Sequence, residues 1–119
     1  MIKKTVKYID FNGNENEETF YFNLTKAELA SMEIATQGGM SNYIEEVVKS
    51  GDNKKLLEIF NEILLNSYGV KSEDGKRFKK SPELKESFAE SAAFSEIFIE
   101  LVSDPDAATA FMKGVTNQA

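Results

Sequence analysis

An α+β fold, predominantly helical, with an N-terminal β-hairpin packed on a bundle of about five or six helices, is what this 119-residue sequence predicts. Three observations predict it. Apolar residues alternate in steps of two only before residue 25. From there they recur at the three- and four-residue spacing of a helix face. Cap signals at Thr25, Ser81-Pro82 and Asp104-Pro105 then mark helix starts.

The hairpin is expected over residues 3–24. Thr5 to Ile9 alternate with Val6 and Tyr8 on one side, and Thr19 to Leu24 alternate with Phe20, Phe22 and Leu24 on one side. Between them FNGNENE supplies a turn at Asn12-Gly13. A lone hairpin cannot bury its apolar face, so helices must cover it.

The helical part is expected over residues 25–113. Thr25 and Glu28 have capping-box spacing, and Gly38-Gly39 ends the helix they start. A short helix from Ser41 to Lys49 turns Tyr43, Ile44, Val47 and Val48 inward and closes at Gly51. Asp52 or Asn53 caps the next, whose stripe Leu56, Ile59, Phe60, Ile63 and Leu64 is the best in the chain and runs up to Tyr68-Gly69. Ser81-Pro82 opens another helix with an N-cap and a proline at its first position. There Leu84 and Phe88 point near one direction, whereas Phe94, Ile97, Phe98, Leu101 and Val102 centre roughly 90° away. One straight helix would expose one of those faces, so a break is expected near Glu90-Ser91, with Ser91 capping the second part. Asp104-Pro105 opens a last helix to Lys113, and residues 114–119 are expected to fray. The length suits a single domain, 1–119.

Composition narrows the function. The chain has no cysteine and no histidine, which removes disulfides, thiol nucleophiles, the usual triads and most zinc or copper sites. No enzyme, cofactor or metal is expected. No run of about 18 apolar residues would span a bilayer, and MIKKTVKYIDF lacks the apolar run of a signal peptide. A soluble intracellular protein is expected, with no membrane partner. A net charge of -6 argues against nucleic acid and for protein partners.

Charge is unevenly spread, at -3 over residues 1–50, +2 over 51–80 and -5 over 81–119. Acidic C-terminal helices could meet the basic middle of the same chain or of a second copy. The basic stretch YGVKSEDGKRFKKSPEL holds Lys71, Lys76, Arg77, Lys79 and Lys80. Its bland reading is a turn at Asp74-Gly75 whose exit inserts Phe78 inward. A protein-docking loop is the second reading. One arginine and one phenylalanine are too little for a nucleic-acid stacking platform.

Other features have bland explanations. Asp10, Asn12 and Asn14 begin like a calcium loop, but Glu15 and Tyr21 occupy the positions that need glycine and a bidentate glutamate. Carboxylate pairs such as Glu86 with Glu90 or Glu96 with Glu100 read as solvated helix faces. Phe94, Phe98, Phe111 and Met112 are most simply core. Ile99 projects between Glu96 and Glu100, away from its helix's stripe, and is a candidate partner contact. With it stand Lys76, Arg77, Lys79, Lys80, Phe111 and Met112 as candidate protein-binding residues.

The segments TVKYIDFNGNENEETFYFNLTKAEL, LLNSYGVKSEDGKRFKKSPEL and FAESAAFSEIFIELVSDPDAATAFMKGV together resemble the tail assembly chaperones of long-tailed bacteriophages of Gram-positive hosts. The resemblance implies a non-catalytic protein of the host cytoplasm, absent from the mature virion. Such a protein binds the tape measure protein, keeps its apolar helices soluble and helps recruit tail tube subunits. Self-association along a long partner is compatible with that role. The alternative is a small acidic adaptor or regulator of phage or host origin.

Overall fold

A two-residue period builds the first layer. The computed structural model describes residues 1–35 and 38–116. Strands β1 (Ile2–Ile9) and β2 (Glu15–Phe22) pair antiparallel, with Ile2 opposite Phe22, Lys4 opposite Phe20 and Val6 opposite Glu18. Even-numbered positions share one face, and there Val6, Phe20 and Phe22 are buried, with Leu24 just beyond the strand. Asp10 organises the turn. Its Oδ1 accepts the N–H groups of Asn12 and Asn14 at 2.9 and 3.0 Å, and its Oδ2 accepts from the Asn16 side-chain amide at 2.7 Å. The Asn14 N–H and then the Asn16 amide hold this carboxyl below its ordinary range.

The helices start where side chains satisfy orphan amides. Helix α1 (Lys26–Ala35) carries both halves of a capping box: Glu28 N–H donates to Thr25 Oγ1 at 3.2 Å, and Thr25 N–H donates to Glu28 Oε1 at 2.9 Å. Helix α2 (Met40–Ser50) buries Val47 and half-buries Tyr43; the Ile44 and Val48 side chains lie outside the described residues. Asp52 caps α3 (Asn53–Ser67) by accepting from Lys55 N–H at 3.1 Å, and the stripe Ile59, Phe60, Ile63 and Leu64 is buried. Ser81 caps α4 (Pro82–Ala89). Ser91 serves two helices. Its hydroxyl donates to Phe88 O at 2.7 Å and accepts from Phe94 N–H at 3.1 Å, so α5 (Ala92–Val102) departs in a new direction. That break lets Phe88 on α4 and Ile97 and Leu101 on α5 all be buried.

Helix α6 (Pro105–Thr116) runs past the expected end at Lys113. Val115 is fully buried and its carbonyl accepts from Leu24 N–H at 3.3 Å, so residues 114–116 do not fray. The expected fraying of residues 117–119 lies outside the described residues.

The basic stretch forms a second hairpin that periodicity did not reveal. Strand β3 (Tyr68–Lys71) follows α3 directly and pairs with β4 (Phe78–Lys79), Lys71 opposite Phe78. Tyr21 stands opposite Gly69 and Phe22 opposite Tyr68, which gives a four-stranded sheet in the order β1-β2-β3-β4. Ser72 and Asp74 close the loop: Asp74 accepts from the Ser72 hydroxyl at 2.6 Å and from Lys76 N–H at 3.0 Å. Phe78 does not insert inward. It shares a face with Lys71 and Gly69, opposite the core, where its ring lies over Gly69. Lys80 ties this hairpin to α1, its Nζ donating to Asn23 O at 2.7 Å and to the two Glu28 carboxylate oxygens at 2.8 and 2.7 Å.

An aromatic cluster joins sheet to helices. Phe22 meets Phe88, Phe111 and Tyr68 at centroid distances of 5.7, 5.3 and 6.1 Å. Leu64, Ile97, Leu101 and Val115 fill the space around it.

Two outcomes follow from these contacts. A Cβ on Gly69 would lie 2.6 Å from Phe78 Cε2 and 2.8 Å from the Lys79 carbonyl oxygen. Gly69→Ala should therefore lower unfolding free energy by about 1–3 kcal/mol in urea titration, because backbone as well as ring must shift. Burial pushes the Glu28 carboxyl up, but the Lys80 ammonium and the Thr25 N–H outweigh it and hold the group below its ordinary 4.5. A lowered carboxylate contributes stability that is full above 4.5 and lost as pH falls through the lower folded value. Urea titrations from about pH 6 to about pH 3 should show a smaller acid loss for Glu28→Gln than for the unaltered chain.

Candidate functional site

The C-terminal turn of α3 carries more apolar residues than one stripe can bury. Leu64 faces the core, and Leu65, about 100° further round, is left half-buried at the surface. Opposite it, α1 presents Ala27 and Ser31 one turn apart, whose small side chains keep that wall low, together with half-buried Met32. Between these walls lies a groove of about 640 Å³. Leu24 and Tyr68 contribute to its lining, and Pro82 at the start of α4 closes one side.

Its rim is polar and mostly self-paired. Lys80 and Glu28 neutralise each other at 2.7 Å, and Lys85 Nζ donates to Asn66 Oδ1 at 2.5 Å. Burial, and then the Glu18 carboxylate, push the Tyr68 phenol up, so this ring stays neutral at physiological pH. An apolar trough with a satisfied polar rim suits apolar side chains of another chain, whose burial is favoured at about 25 cal/mol per Å².

The displaced pKa values elsewhere have local structural causes. Tyr8 is pushed up to about 12 by its hydrogen bond to Glu18, by burial and by the nearby carboxylates of Glu18 and Asp10. Asp74 is held down by the Ser72 hydroxyl and the Lys76 N–H within its turn. Among the described residues, no group of three or more carboxylates is placed to hold a metal ion.

The candidate partner contacts do not converge. Lys76, Arg77 and Lys79 are exposed on the second hairpin, whereas Lys80 is engaged by Asn23 and Glu28 and lines the groove rim. Ile99 stands 61% exposed on α5, beside Glu100, which pairs with Lys4 at 3.0 Å. Phe111 is 3% exposed and packs on Phe22 and Phe60, so it belongs to the core and not to a surface. The Met112 side chain lies outside the described residues. Met32 and Leu65 were missed; the available signal was Leu65 standing one residue beyond a complete stripe. Phe11 was also missed, 84% exposed at the tip of the first hairpin.

Among curated proteins and among solved structures, nothing matches the chain significantly. A family model described as phage tail assembly chaperone matches residues 1–118, a span that takes in both hairpins, the helices and the groove. The chain belongs to the phage tail assembly chaperone family.

Proposed function

We propose that this chain, acting as one domain over residues 1–119, binds the tape measure protein of a long-tailed phage of a Gram-positive host. It holds that protein's apolar helices soluble in the host cytoplasm, helps recruit tail tube subunits, and is left out of the mature virion. The observation that carries this reading is the apolar groove between α1, α3 and α4, in a chain whose family assembles tails. A helix laid in such a groove gives up its apolar stripe to Leu65, Met32 and Tyr68, while the paired rim charges stay hydrated. The net charge of -6 keeps the complex dispersed. Exposed Lys76, Arg77 and Lys79, with Ile99, serve as secondary contacts for a second partner or a second copy.

Co-expression tests this directly. The tape measure protein should be recovered soluble with the unaltered chain and should precipitate without it. Leu65→Glu, checked for folding by circular dichroism, should weaken binding roughly tenfold or more, since it places a charge in the apolar wall. Binding should change little between low and high salt, in contrast to contact through the lysines. Equal precipitation with and without this chain would overturn the proposal.

A further inference from the structure

Strand β2 has eight residues but pairs with β3 only at Tyr21 and Phe22. Two hydrogen bonds show which way its backbone groups point. Asp10 N–H donates to Asn14 O at 2.9 Å across the first turn, so even-numbered positions of β2 bond to β1. Asn23 N–H donates to Ser67 O at 2.7 Å, so odd-numbered positions point towards β3. Glu15, Glu17 and Thr19 therefore direct N–H and C=O along an edge where the ladder to β3 has already stopped. At about 3.4 Å per residue, residues 15–19 give an edge about 17 Å long.

A cleft of about 330 Å³ opens at the Thr19 end of this edge, between β2 and β3. Val70, 40% exposed, and Tyr68 supply apolar wall. The surrounding charges are mainly acidic. Glu15, Glu17, Glu18 and Glu73 are exposed, against Lys71 as the cation in the cleft wall. Glu17 is only weakly engaged by Lys7, at 3.8 Å and exposed, and Glu18 accepts the Tyr8 hydroxyl.

We propose that this edge binds an extended, lysine-rich segment of another protein by strand addition. Backbone pairing with Glu15, Glu17 and Thr19 supplies affinity, alternate apolar residues enter the cleft against Val70, and alternate lysines meet the carboxylates. The basic strand of a second copy is a poorer occupant, because β1 is already paired with β2 and packed against α5. This site shares Tyr68 with the groove but not Leu65, so Leu65→Glu leaves the edge and its cleft intact.

The probe is a fluorescein-labelled Val-Lys-Val-Lys-Val-Lys-Val heptapeptide, titrated with the full chain by anisotropy. Saturable binding is expected. Affinity should fall about tenfold or more when alternate peptide amides are N-methylated, and likewise with Glu17→Pro, which removes an edge donor without touching the ladder to β1. Glu17→Gln, which keeps the N–H, should lose only a few-fold, separating charge from backbone pairing. No binding of this peptide, or equal binding of its Val-Glu counterpart or N-methylated form, overturns the proposal. So does sedimentation showing a dimer of the chain alone that Glu17→Pro dissolves, which would assign the edge to a second copy. The groove variant Leu65→Glu should bind the peptide normally, so failure here and failure of the groove reading are distinct results.

Discussion

Tyr68 stands where α3 ends and β3 begins, and its ring lies nearly flat on Phe88, with centroids 4.3 Å apart and planes 14° from parallel. The rest of the molecule depends on that placement. The backbone there is already extended, at φ -67 and ψ 139, so the helix passes into the sheet with no loop between them. One residue earlier, Ser67 accepts Asn23 N–H, and one residue later Gly69 takes its place opposite Tyr21. A displaced Tyr68 would lose the stack and the register of the second hairpin together. Offset aromatic pairs contribute only about 0.5–1.5 kcal/mol beyond the area they bury. The larger consequence is geometric, because the same ring contacts Phe20 and Phe22 and lines both the groove and the cleft.

The parts of this fold that sequence reveals are those set by local chemistry. Thr25 with Glu28, Ser81 before Pro82, and Ser91 after a change of helical phase each name their own hydrogen-bond partner a few residues away. The structure places every one of those bonds. Strands β3 and β4 stayed hidden because four and two residues are too few for alternation to stand out, and because Tyr68-Gly69 reads as a helix end. Phe78 was misplaced for a related reason. An aromatic after a tight turn normally goes inward, but Gly69 leaves a bare patch of backbone on the outer face, and the ring covers it. Of the groove's lining residues, Lys80 is the one that the sequence offers as a protein-binding candidate. In the fold its charge is directed at Glu28 and Asn23. Long-range neighbours of that kind, 52 residues apart, leave no mark in local spacing.

The charge pattern takes on a different sense in three dimensions. The basic stretch read as one cluster, yet the fold divides it. Lys80 is engaged in an ion pair with Glu28 on the groove rim, while Lys76, Arg77 and Lys79 remain exposed. On the other side of the cleft, β2 presents Glu15, Glu17 and Glu18 on a strand whose other edge is paired with the lysine-bearing β1. Lys7 stands opposite Glu17 in that register, so the sheet already contains one basic strand matched to this acidic one. Opposite charges directly across a ladder favour one partner and one register by a few tenths of a kcal/mol each. The same acidic residues also discourage unwanted pairing with neutral or acidic strands, a usual protection of an exposed edge.

The two recesses differ in how firmly their walls are held. The cleft lies between strands joined at Tyr21–Gly69 and Phe22–Tyr68, with Phe20, Phe22 and Gly69 buried. The groove is bounded on one side by α1, which packs on the core through half-buried Leu29 and Met32 and is tied to the second hairpin by the Lys80–Glu28 pair. Few buried apolar contacts mean a low free energy for local detachment, well below that of global unfolding. Helix α1 can therefore shift outward at small cost, and the groove can widen without disturbing the aromatic cluster beneath it. The proposed docking of apolar helices would gain from that arrangement. Successive stretches of a long partner present different side chains, and a wall that yields accepts several of them, whereas the rigid floor at Tyr68 keeps the direction of docking the same.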